Sequence, residues 1–128
     1  MAEQIIDQFI AALGQLEAER ELEPLVALFA EDCEVGNVLT KDKLQGRDGA
    51  QEFWKNYRDT FGAVRSTFRN RIIADAHAAL EWTTAGSAKG GDQIEYSGVS
   101  ILEIEGDKIS RFHAYFAPQE LGEQISAA

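Results

Sequence analysis

The chain has 128 residues, 45% of them apolar and 27% charged, with 12 Lys+Arg against 22 Asp+Glu for a net charge of −10, one Cys and two Pro. A chain of that length buries roughly two thirds of the surface it exposes when unfolded, so one domain over residues 1–128 is expected to fold without metal or disulfide staples. No apolar run reaches the roughly 18–20 residues that span a bilayer, and Glu3 and Asp7 stand where a secretory signal is basic, so no membrane partner is expected and the compartment implied is cytoplasmic.

The charge is uneven. Residues 1–34 hold nine acids and one base, residues 35–74 four acids and eight bases, and residues 75–128 nine acids and three bases. Such a field repels a phosphate backbone, so no nucleic acid partner is expected. The basic cluster Arg65, Arg69 and Arg71 is expected to pair with Glu81, Glu95 and Glu103 on neighbouring strands as a lattice of surface ion pairs.

Ile5, Ile6, Phe9, Ile10 and Leu13 recur on one helical face, with Glu3 and Asp7 near the positive helix start, which predicts an amphipathic first helix. Pro24 suits the first turn of a second, short helix whose stripe is Leu25, Leu28 and Phe29 and whose end falls near Glu31. A third follows Gly46, with Ala50, Phe53, Trp54, Tyr57 and Phe61 at helical spacing. Beyond Gly62 the period becomes two. Ser66, Phe68, Asn70 and Ile72 alternate with Arg65, Thr67, Arg69 and Arg71, predicting a strand from Arg65 to Ile73. A turn at Asp75-Ala76 leads to a strand from His77 to Ser87, and Lys89-Gly90-Gly91-Asp92 to a long strand through Glu105. Gly106-Asp107 turns into a last strand, Lys108 to Phe116, and Pro118 begins a short C-terminal helix. Three helices followed by an antiparallel meander predict an α+β fold with the helices on one sheet face. Gly86 and Gly98 are the expected bending points of strands this long, and a curved sheet over helices leaves a pocket at its open end.

Three segments carry a resemblance: Leu25-Val26-Ala27-Leu28-Phe29-Ala30-Glu31-Asp32 before a short strand, Gly46-Arg47-Asp48-Gly49 opening the third helix, and Gly98 through Ile109 before Tyr115-Phe116. In their order and spacing the chain resembles the nuclear transport factor 2-like superfamily, particularly its SnoaL-like, polyketide-cyclase-type branch. The resemblance implies a cone-shaped α+β barrel, often dimeric through the outer sheet face. The scaffold carries isomerases, cyclases, epoxide hydrolases, dehydratases and binding modules, so fold alone does not assign an activity. At the positions where the steroid isomerases of this superfamily hold their general base, their tyrosine and their second acid, this chain looks to have Asn37, Phe9 and Ser100. An amide cannot abstract a proton and a phenyl ring cannot donate one, which argues against that chemistry. The positions of the two Asp and the Arg of limonene-type epoxide hydrolases look like Trp82, Thr84 and Ala114, and the last-strand acids of the cyclases correspond to Ala114 and Ala117. No catalytic residue is therefore assigned.

With Ser100 inward, alternation sends Ile94, Tyr96, Leu102 and Ile104 inward too, and strand pairing adds Asn70, Trp82, Thr84 and Phe112. Trp54 and Tyr57 of the third helix either form the opposing wall or pack as plain core. Asn37, Asn70, Thr84 and Ser100 need partners if buried, found either inside the protein or on a ligand. The expected ligand site thus comprises Phe9, Asn37, Trp54, Tyr57, Asn70, Trp82, Thr84, Tyr96, Ser100 and Phe112, and suits a small hydrophobic or aromatic molecule. His113 is expected on the convex face beside Tyr115, at the dimer interface or the surface, unless a register slip or bulge turns it inward as a general base, and Cys33 is expected as a buried structural thiol. No cluster has metal-ligand spacing, and no metal or cofactor is expected. The outward row Val99, Ile101 and Tyr115 predicts a homodimer. The function expected is binding of a small molecule, with or without cofactor-independent isomerase, cyclase or dehydratase activity; the alternative is a non-catalytic ligand-binding or dimerisation module.

Overall fold

A computed structural model of the chain describes residues 2–39 and 42–118. The elements in order are α1 (Ala2–Glu19), α2 (Glu23–Val26), β1 (Phe29–Asn37), β2 (Leu44–Gln45), α3 (Gly46–Thr60), β3 (Phe61–Ile73), β4 (His77–Ala88), β5 (Gln93–Glu105) and β6 (Lys108–Phe116). The strands form one curved, unclosed sheet in the order β2-β1-β6-β5-β4-β3, and the helices pack on its concave side. Four strands form the expected antiparallel meander. The first does not: β1 lies parallel to β6, so the sheet is mixed. The expected C-terminal helix falls almost wholly on residues 119–128, outside the described residues.

Local periodicity explains most of these elements. In α1 the buried residues Ile5, Ile6, Phe9, Ala12, Leu13 and Leu16 make one continuous stripe. In α3 the stripe is Ala50, Phe53 and Trp54, with Gly49 tucked against Leu44. Tertiary pairing overrides the helical pattern at two ends. Leu28 and Phe29 continue the expected stripe of the second helix, yet α2 stops at Val26, because the Leu28 carbonyl accepts the Ile109 N–H at 2.8 Å and Phe29 pairs with Ile109 in the sheet. Phe61 fits the α3 stripe but has extended backbone (φ −110°, ψ 154°) and opens β3, four residues before the alternating pattern predicts a strand.

Gly86 and Gly98 lie where a neighbouring backbone or ring comes close to the long strands. Gly98 stands directly across from Trp82, and a Cβ there would sit 2.7 Å from the indole ring and 2.4 Å from the Tyr115 carbonyl oxygen. Only hydrogen fits in that space. Phe9, Phe29, Phe53, Trp54 and Phe112 form one aromatic cluster between the helices and the sheet, with Phe53–Trp54 and Trp54–Phe112 ring centroids at 4.9 and 5.1 Å. Such aromatic pairs add about 0.5–1.5 kcal/mol each beyond the area they bury.

Candidate functional site

Between α1, α3 and the concave sheet face lies a cavity of about 240 Å3 with mostly apolar walls. Of the residues expected to line it, Phe9, Asn37, Trp54, Tyr57, Trp82, Thr84, Tyr96, Ser100 and Phe112 do. Asn70 does not. The β3–β4 register steps from Phe68↔Trp82 to Asn70↔Glu81, so one extra residue is inserted at Arg69 and every later side chain changes face. Asn70 is consequently exposed, its amide donating to the Glu81 carboxylate. The same bulge turns Arg71 towards α1, where it pairs with Asp7. Arg69 donates to Thr83 at 2.8 Å, and Glu103 is held by Arg111. The expected Arg–Glu lattice across the strands is replaced, for Arg69, Arg71, Glu81 and Glu103, by these contacts.

Two aromatic groups divide the cavity. The inner wall is the Phe9, Trp54 and Phe112 cluster. In the second group, Tyr57 packs on Phe61, Phe61 stacks on Tyr96, and Tyr96 meets Trp82 and Phe116, at centroid separations of 5.1, 6.0, 5.3 and 5.3 Å. Leu13, Phe61, Ser66, Phe68, Ala114 and Phe116 line the cavity as well, although the sequence reading did not select them.

The polar groups of the wall are few and mostly engaged. The Trp82 indole N–H donates to Ser100 Oγ at 2.9 Å, which explains how two nearly fully buried polar groups coexist. Asn37 Oδ1 accepts the Leu39 N–H at 2.8 Å, a local turn at the lip of the cavity. Thr84, 2% exposed, lies 2.6 Å from Ser66 Oγ across the strand pair. Trp54 borders the cavity with its indole N–H buried and unpartnered among the described residues.

A carboxylate organises the remaining polar atoms, and the sequence reading missed it. Glu17, on α1, receives the Tyr57 hydroxyl (2.7 Å) and the Ser66 hydroxyl (2.6 Å) on Oε2, and the Ser66 backbone N–H (2.9 Å) on Oε1. The signal was present in the sequence: Phe9, Leu13 and Glu17 are spaced i, i+4, i+8, which puts an acid on the buried stripe. Burial and then the Glu17 charge hold the Tyr57 phenol well above its ordinary pKa, and the same two causes raise Tyr96. Both hydroxyls therefore stay protonated near neutral pH.

His113 takes the convex side, as alternation predicts, but it is buried there, its ring 4.4 Å from that of Tyr115 and its Nδ1 unpartnered among the described residues. Burial, reinforced by Lys43 and Arg111, depresses its pKa below the usual 6.5. A depressed imidazole leaves the unfolded chain binding more protons just below that value. The stabilisation from its neutral form is complete above about pH 6.5 and is lost as the pH falls towards the folded-state pKa. Chemical denaturation at pH 7.5 and pH 5 is expected to show a smaller acid loss in His113→Leu than in the parent, and equal losses would contradict this. Cys33 is fully buried, its thiol donating to the Gly46 carbonyl at 3.2 Å, and burial raises its pKa.

Among the described residues no group of three or more His, Cys, Asp or Glu is placed to hold a metal ion, and no helix is long and apolar enough to cross a membrane. The fold is shared with a putative isomerase from Rhodopseudomonas palustris at 16% identity and TM-score 0.86, with all of both chains covered. TerC, co-crystallised with polyporic acid, matches at 17% identity and TM-score 0.83 over 98% of each chain. A hypothetical protein with a ketosteroid isomerase-like fold from Catenulispora acidiphila, in complex with trimethylamine, matches at 18% identity and TM-score 0.82, over 97% of this chain and 93% of the other. No curated protein matches the chain by sequence. The profile of the SnoaL-like domain matches residues 6–112, from within α1 to the middle of β6, and the chain belongs to that family.

Proposed function

We propose that the cavity binds a small hydrophobic or aromatic organic molecule, and that two chains associate through the convex face of the sheet. The observation that carries the first statement is the cavity itself. An aromatic hollow with a few placed polar atoms is the usual form of a small-molecule site, and about 240 Å3, below the roughly 300–1000 Å3 of drug-sized pockets, suits a compact ligand. Two relatives of the same fold carry small organic molecules, polyporic acid and trimethylamine, which supports the reading. Binding isotherms with a panel of small aromatic and terpenoid compounds test it. Saturable binding that Ser100→Leu weakens at least tenfold is expected, whereas equal affinity in both proteins places the ligand elsewhere.

The second statement rests on Tyr115, 46% exposed, and the half-buried Val99 and Ile101 beside it on the outer face. Light scattering at micromolar concentration is expected to give the mass of two chains, and the mass of one contradicts it.

A second reading, in which the domain catalyses a cofactor-independent isomerisation, cyclisation or dehydration, is favoured by the Glu17 carboxylate standing one hydroxyl behind the wall. It is tested by proton exchange on bound ketones. Absence of protein-dependent exchange leaves the non-catalytic binding module.

A further inference from the structure

We propose that the Tyr57–Thr84 side of the cavity binds the protonated amine of a small organic cation, with Glu17 as its counter-charge. This rests on the cavity being a ligand site.

The directions of the hydroxyl protons are fixed by the carboxylate at the centre of the array. An ionised carboxylate only accepts, so the single protons of Tyr57 and Ser66 both point to Glu17. Ser66 Oγ, having given its proton away, receives that of Thr84. No hydroxyl proton of the three remains for a ligand. Tyr57, Ser66 and Thr84 all line the cavity, so a ligand group that hydrogen-bonds any of these hydroxyls meets oxygen lone pairs and must be a donor.

Charge narrows the donor further. The ion pairs among the described residues join Arg20 and Arg58 to Asp59, Arg71 to Asp7, and Arg111 to Glu34 and Glu103; none reaches Glu17. Three hydrogen bonds satisfy the oxygens of Glu17, half-buried behind Tyr57, but none of them brings a positive charge to balance it. Its field reaches the cavity side chains, since it helps to raise the pKa values of both Tyr57 and Tyr96. The rings of Tyr57, Phe61 and Tyr96 stand next to the same spot and offer π faces, which attract cations as well. A neutral alcohol would fill the lone pairs and leave the charge. An ammonium group fills the lone pairs and balances it, and the net charge of −10 favours its approach.

The test compares 2-phenylethylamine with 2-phenylethanol, which match in size and differ in charge, by calorimetric titration at pH 7 in the full-length protein and in Glu17→Gln. The amine is expected to bind at least tenfold more tightly than the alcohol to the parent protein, with the preference falling to within about twofold in Glu17→Gln. Equal affinities in the parent, which need no variant to fold, overturn the ammonium proposal while the pocket reading stands. A preference that survives Glu17→Gln overturns the role of Glu17. Failure of both compounds to bind overturns the proposal together with the pocket reading on which it rests.

Discussion

Gly86→Ala is expected to destabilise the protein by about 3 kcal/mol or more, through strain in two places at once. Gly86 has φ +152°, a conformation side-chain-bearing residues rarely adopt. It also lies opposite the irregular start of β3, where a Cβ would approach the Ala63 carbonyl oxygen to 2.1 Å and the Val64 Cα to 2.7 Å. Both are backbone atoms, so no side chain can swing aside, and the β3–β4 pairing itself must shift. Since domains are stable by only about 5–15 kcal/mol, the loss is a large fraction of the whole. Gly14 provides the control. It lies in α1 with nothing within 4 Å of its would-be Cβ, so Gly14→Ala is expected to stabilise by about 0.5–1 kcal/mol. Urea midpoints for the two variants should move in opposite directions, and a Gly86→Ala midpoint within error of the parent would mean that the strand crossing is looser than described.

The second large effect is expected at Phe112. Its ring contacts those of Phe9, Phe29, Phe53 and Trp54, at centroid distances of 5.6, 6.5, 5.9 and 5.1 Å, so it joins β6 to α1, β1 and α3 at the floor of the cavity. Phe112→Ala removes those contacts and leaves a void that the surrounding elements cannot close, costing about 3–5 kcal/mol. Because Phe112 also lines the cavity, the surviving folded protein should accept bulkier ligands than the parent. Phe116→Ala, at a half-buried position at the end of the same strand, should cost clearly less. Equal urea midpoints for the two variants would show that the floor is not the centre of the packing.

The parts of this fold that were legible in the sequence are those written in local repeats. The α1 stripe, the alternation of Ile94, Tyr96, Ser100, Leu102 and Ile104, and the turns at Gly91 and Gly106 each follow from neighbouring residues. The side chains they bury needed no long-range information. The rest depended on contacts between distant segments. Phe29 and Phe61 satisfy a helical stripe and a strand equally well, and their sheet partners Ile109 and Ala88 decide the outcome. The parallel pairing of β1 with β6 has no local mark at all. A bulge adds one residue without a sequence signature, so strict alternation points Asn70 into the pocket while the actual strand breaks that alternation at Arg69. Glu17 was visible as an acid on an apolar stripe, but its partners Tyr57 and Ser66 are 40 and 49 positions away. An acid on that stripe reads as a solvent-facing edge until the strand that receives it is known.

Nature has placed the reporters for the central claim inside the site: Trp54 and Trp82 are the two tryptophans of the chain, and both line the cavity. Titrating the panel of small aromatic and terpenoid compounds into the parent protein and into Ala114→Phe, whose new ring would occupy the hollow, while following tryptophan emission, tests that claim most directly. Occupancy of the cavity predicts a saturable change in emission that disappears in Ala114→Phe. No saturable change with any compound up to millimolar concentration, or the same change in the filled variant, would contradict it.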